Sequence, residues 1–180
     1  MGLFHSLKDG WAFFKELQTI EKKAQEAKER WRNTTLEEAA ALSDEELWAC
    51  VTARLDDDAL NTPGAKRTLY TAYLFDLEVQ NGGLCQYFGN CPESAPSLED
   101  ALAALEAEPY RALFHDAVTK QGIDLAELDG SDVSQAVQCG EQCEDCPLSA
   151  FDSAYCDLYG ETPLEALCVR YARAHLQELF

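Results

Sequence analysis

Apolar positions recur along this chain with the three-to-four-residue spacing of helices, and no convincing strand-like alternation of β-branched residues occurs. Leu3, Leu7, Trp11, Phe14 and Gln18 fall on one stripe, with Phe4 and Leu17 beside it. The Glu, Lys, Ala and Arg mixture from Glu21 to Arg32 is a good helix former. Together they predict one amphipathic helix over residues 3–32, interrupted at Asn33-Thr34-Thr35. Thr34 with Glu37, and Ser43 with Glu46, have the spacing of capping boxes, in which each side chain satisfies a free backbone N–H of the first turn. The second of these opens a helix with Leu47, Trp48, Val51 and Leu55 inward, ending around Asp56-Asp57-Asp58. Thr62-Pro63 reads as an N-cap followed by proline at the first helical position. The helix it opens is expected to bury Tyr70, Tyr73, Leu74 and Leu77 and to stop at Asn81-Gly82-Gly83, where glycine can take the left-handed conformation.

A short helix or turn with Tyr87 and Phe88 comes next, then a loop from Cys91-Pro92 to Pro96. Ser97 is read as the cap of a helix presenting Leu98, Ala101, Leu102 and Leu105. Pro109 starts another, with Tyr110, Leu113, Phe114, Ala117 and Val118 inward, and Gly122 ends it. From Ile123 to Ser149 the pattern weakens into a loop-rich excursion of Asp, Gly, Ser, Gln and Cys. Helical character returns from Phe151 to Tyr159, and a last helix runs from Thr162-Pro163 to the C-terminus with Leu164, Leu167, Cys168 and Tyr171 inward. The expected fold is all-α: a compact helical domain over 33–180 with an added amphipathic helix over 1–32.

Composition narrows what such a fold can do. At 180 residues and 47% hydrophobic, the chain suits one domain that buries ~70% of its unfolded surface. It carries 14 Lys plus Arg against 33 Asp plus Glu, a net charge of −19. That excludes ordinary nucleic-acid binding and disfavours anionic membranes, because both would be repelled. Basic partners remain: a DNA-binding protein, a basic peptide or cations. The charge is uneven, since residues 1–32 sum to +2 and residues 33–180 to −21. No apolar run approaches the ~20 residues of a spanning helix. Lys8, Asp9 and Lys15 interrupt the first stripe, and no small-residue cleavage site follows it. A cytoplasmic protein with eight reduced cysteines is the expectation.

Candidate chemistry is sparse. Cys139, Cys143 and Cys146 form a C-x3-C-x2-C cluster that could give three thiolates to zinc, with Cys156, Cys91 or His115 as a fourth ligand. The same spacing occurs in radical enzymes with iron–sulfur clusters, but this chain is short for their barrel. Free thiols in a surface excursion are the preferred reading, since Glu141, Glu144 and Asp145 raise neighbouring thiol pKa values and oppose reactivity. His5, His115 and His175 sit in no catalytic motif, and no Gly-rich phosphate cradle precedes a helix. Met1-Gly2 through Ser6 fits a short myristoylation pattern, yet the Trp11 and Phe14 stripe reads better as a docking face for the fold. Neither an enzyme nor a cofactor is expected.

The carboxylates are weighed in the same way. Glu37, Glu38, Asp44, Glu45 and Glu46 sit in first turns, where negative charge favours the helix dipole. Asp56-Asp57-Asp58, read as the end of a helix, opposes that dipole and marks an interaction surface; the plain alternative is a solvated cap of the next turn. The candidate partner-binding residues are therefore Asp44, Glu45, Asp56, Asp57 and Asp58. On one helix Asp44 to Asp58 would span roughly 21 Å, with carboxylates ~5–6 Å apart, close to the spacing of DNA phosphates.

The run Glu78, Asn81-Gly82-Gly83, Gln86-Tyr87-Phe88 and Asn90 resembles the signature of a bacterial family named for DNA-mimic protein nineteen. Ala101–Leu105 and Tyr110–Val118 resemble its next helix pair. Phe151-Asp152, Tyr155, Asp157, Tyr159 and Tyr171 resemble its C-terminal end. The likeness covers about residues 60–180 and is weakest over 125–149; the cysteine-rich excursion and the N-terminal helix depart from it. The resemblance implies an all-α homodimer whose carboxylates imitate DNA phosphates and occupy the site of a basic DNA-binding protein, as in transcription regulation. Tyr70, Tyr73, Tyr87 and Phe88, an aromatic set larger than one core requires, also suggest a homodimer.

Overall fold

A computed structural model describes residues 18–19, 22–56, 58–128 and 147–180. Residues 22–32 are helical, as their composition predicts; most of the remaining N-terminal stripe lies outside the described residues. Helices α1 (Leu36–Ala41) and α2 (Asp44–Thr52) each open on a reciprocal capping box. In α2 it is the expected Ser43–Glu46 pair. In α1 it is Thr35 with Glu38, not Thr34 with Glu37. Thr34 donates its hydroxyl backward to the Arg30 carbonyl, 3.2 Å away, and so closes the preceding helix.

Helix α2 ends before the aspartates. Thr52 turns its hydroxyl onto the Trp48 carbonyl at 2.9 Å, and the chain turns at Ala53-Arg54. A short helix α3 (Asp58–Asn61) then begins inside the acidic run, with the Ala59 N–H donating to the Asp56 carbonyl at 2.8 Å. Asp56 thus precedes a helix and Asp58 opens it; neither ends one, and there negative charge is favourable. The expected dipole conflict is corrected accordingly; Asp57 lies outside the described residues.

Helix α4 (Ala65–Asn90) is the axis of the molecule. It packs on α3, α5 (Leu98–Ala104), α7 (Ser149–Glu161), α8 (Leu164–Ala174) and α9 (Leu176–Leu179). Helix α6 (Glu108–Gln121) lies between α5 and α7 and ends on left-handed Gly122, as expected. Helix α4 starts later than Thr62-Pro63 predicts, because its cap comes from elsewhere. Gly64, at φ +101°, turns the chain, and the freed Ala65 N–H donates to Glu178 Oε2 of α9 at 3.1 Å. Thr62 instead donates to the Asp58 carbonyl.

The core is aromatic. Phe75, Tyr87, Phe88, Tyr110, Phe114 and Tyr155 are buried, with ring centroids 5.2 to 6.3 Å apart and mostly edge-to-face. Tyr87, Phe88 and Tyr70 therefore fill this one core. Leu77, expected inside, is 46% exposed, and Tyr73 is half-buried. Among the described residues there is no strand, so the all-α reading holds. No described helix is long and apolar enough to cross a membrane.

Candidate acidic interaction surface

The carboxylates picked out from the sequence do not form one row. Helix α2 carries Asp44 and Glu45 but ends at Thr52, so Asp56 and Asp58 belong to a different segment. Asp44 is already paired: its Oδ1 accepts from both Nε (2.8 Å) and Nη2 (2.6 Å) of Arg173, whose Nη2 also reaches the Leu42 carbonyl. Glu45, Asp56 and Asp58 are exposed and belong to no ion pair among the described residues. Glu37, Glu93, Asp100, Asp157 and Glu161 share that condition. Such carboxylates repel one another and attract a basic surface. Glu38 and Glu46 are different. Hydrogen bonds from the Thr35 and Ser43 backbone and hydroxyls hold them below the usual carboxylate range, so they serve the helix starts.

The Asn-Gly-Gly signature bends α4 without ending it. Helical geometry fails only at Gly82 and Gly83, and Gly83 takes φ +79°, ψ −177°, a region closed to other residues. The bend frees the Leu84 N–H at the start of the second half. Asp152 of α7 accepts it at 2.8 Å and fills the space where a Gly83 side chain would stand. Burial pushes the Asp152 carboxyl above the usual range, against the pull of that hydrogen bond. Across the bend, Glu78 Oε2 accepts from Gln86 Nε2 at 2.7 Å and from Asn90 Nδ2 at 2.8 Å. Tyr87 anchors the second half through its hydroxyl, 2.9 Å from buried Ser94. The spacing of the signature is thus the spacing of one polar lock around a kink.

The comparison with protein families agrees. Residues 58–175 match the family described as DMP19-like protein, two-thirds of the chain. The chain belongs to that family. No curated protein and no solved structure matches it. In this DMP19-like chain the signature residues Asn81, Gly82, Gly83, Gln86, Tyr87, Phe88 and Asn90 lie on the kinked half of α4, where they turn, lock and pack the chain.

Two further carboxylates were not legible as special. Asp76 is 8% exposed on α4 and accepts a hydrogen bond from the Tyr155 hydroxyl. Desolvation raises its pKa, against the hydrogen bonds from Tyr155 and Gln80. Glu165, at the start of α8, is pushed up by burial and by Asp76 and Glu45 nearby. The one sequence signal for Asp76 was a charge three residues after Tyr73 within a tyrosine-rich helix. Cys139, Cys143 and Cys146 lie outside the described residues. Among the described residues, no three His, Cys, Asp or Glu groups are arranged to hold a metal. Cys50, Cys91, Cys156 and Cys168 are free thiols, whereas Cys85 is disulfide-bonded, which corrects the expectation of eight reduced cysteines.

Proposed function

We propose that this chain is an acidic regulatory binding protein that occupies the DNA-binding site of a basic protein, in the manner of a DNA mimic. The carrying observation is the net of −21 after Asn33 in a chain that belongs to the DMP19-like family. Exposed carboxylates that form no ion pair among the described residues, Glu45, Asp56 and Asp58 among them, supply the long-range attraction. Asp44 contributes less, because Arg173 neutralises it. The proposal needs no catalytic group and no cofactor; it places the protein in the cytoplasm and leaves nucleic acid as a competitor for the partner. A homodimer is compatible with it and would double the acidic surface. The experiment is competition: the partner is captured from cells on this protein, and duplex DNA is added. Displacement by DNA, with affinity that falls steeply as salt rises, supports the proposal. A partner that holds both at once contradicts it.

A further inference from the structure

Helix α4 turns one apolar side chain to solvent beside an aromatic pair that packs on the edge of the core. Leu77 is 46% exposed; among the described residues only Leu36 is a comparably exposed large hydrophobic. Tyr73 lies one turn before Leu77 and Gln80 one turn after it. Trp48 of α2 meets the Tyr73 ring edge-on at 6.0 Å, and Tyr70 stacks beneath Tyr73 at 6.5 Å. Trp48 and Tyr73 are both half-buried, so their remaining area continues the Leu77 patch.

Carboxylates stand beside this patch outside any ion pair among the described residues. Glu45 stands one turn before Trp48 on α2 and is exposed. Glu165 lies within electrostatic reach of both Glu45 and Asp76. Gln80 stands at the other edge beside Asp76 and Tyr159. No ion pair among the described residues includes Glu45, Asp76 or Glu165. The contrast with the adjacent residue is direct, since Asp44 has Arg173.

We infer that this face docks an arginine-bearing amphipathic helix of a basic protein. The inference rests on the proposed function only in taking the partner to be basic. A guanidinium suits the site twice, because it pairs with Glu45 and Glu165 and lies over the faces of Trp48 and Tyr73. An apolar side chain one turn along covers Leu77. A second copy of this chain is the poorer occupant, because a two-fold interface would bring the unneutralised carboxylates of both copies together. Duplex DNA presents no apolar anchor of this kind, so the face would let a partner prefer this protein over its own DNA site.

The test uses a fluorescein-labelled helical peptide with four arginines and a row of leucines on one face, titrated into the full chain and followed by anisotropy. A scrambled peptide of the same composition is the companion probe. Leu77→Gln is expected to weaken the patterned peptide about tenfold. Glu45→Gln with Glu165→Gln is expected to weaken it comparably. Glu93→Gln with Asp100→Asn, the same change in charge at other exposed sites, is expected to change it less than about twofold. Equal affinity for both peptides, or for wild type and Leu77→Gln, overturns the inference. So does sedimentation showing that Leu77→Gln turns a dimer into a monomer, since a second copy would then be the occupant. Failure of DNA to displace the captured partner would count against mimicry alone, whereas these variants address only the docking face.

Discussion

Gly83→Ala tests the account of the kink with the least ambiguity. At φ +79°, ψ −177° an L side chain is strained by ~1–3 kcal/mol. The new Cβ would lie 2.6 Å from Asp152 Oδ2, so the carboxylate must leave. Its departure breaks the 2.8 Å bond from the Leu84 N–H, a charge-assisted contact of ~1.5–3 kcal/mol. The sum is roughly 2.5–6 kcal/mol, which lowers Tm by roughly 5–24 °C for a domain of this size. Thermal and urea unfolding followed by circular dichroism at 222 nm measures it. Asp152→Ala alone should lose only the hydrogen-bond share. The double variant should cost less than the two single effects added, because removing Asp152 makes room for the methyl group. A Gly83→Ala protein within ~0.5 kcal/mol of wild type, or strict additivity in the double variant, would refute the reasoning.

Three other outcomes follow. Asp76 has its folded pKa raised, so the fold holds its proton more tightly than the unfolded chain does. Its contribution is therefore greatest at acidic pH and declines as pH rises above the ordinary aspartate value of about 4; urea midpoints should fall less steeply with pH in Asp76→Asn than in wild type. Tyr155→Phe removes the hydroxyl that donates to Asp76 and leaves a buried carboxylate short of a partner; a loss of ~1–3 kcal/mol in denaturant unfolding is expected. Asp58→Asn takes a charge from the first turn of α3, where it is favourable, so stability should fall by no more than ~1 kcal/mol, and a rise would restore the helix-end reading.

Local signals predicted the helices well wherever their causes were local. Ser43 with Glu46, Pro109 and Gly122 act within one turn of themselves, and the structure uses each as the spacing implied. Two misreadings were local, since the first cap is Thr35 and not its neighbour Thr34 and the acidic run opens a short helix, but the others fall where a distant residue supplies what a local one was expected to. Ala65 is capped by Glu178 and Leu84 by Asp152, 113 and 68 positions away, so neither the start nor the continuation of α4 could be read from Thr62-Pro63 or Asn81-Gly82-Gly83. Leu77 fits an inward stripe by periodicity, but which stripe faces the core depends on how the neighbouring helices pack. The acidic surface was legible as charge and not as geometry. Asp44 looks like any exposed aspartate until Arg173 is brought to it from 129 residues away. Asp76 looked unremarkable for the same reason, since Tyr155 and Glu165 reach it only through the fold.

The most direct test of the central claim is displacement. A basic DNA-binding protein captured from cells on this chain is titrated with duplex DNA, and released protein is measured at low and at moderate salt. The account predicts mutually exclusive binding, with DNA and this chain each displacing the other and the affinity for this chain falling steeply as salt rises. A stable ternary complex of partner, DNA and this chain would contradict it.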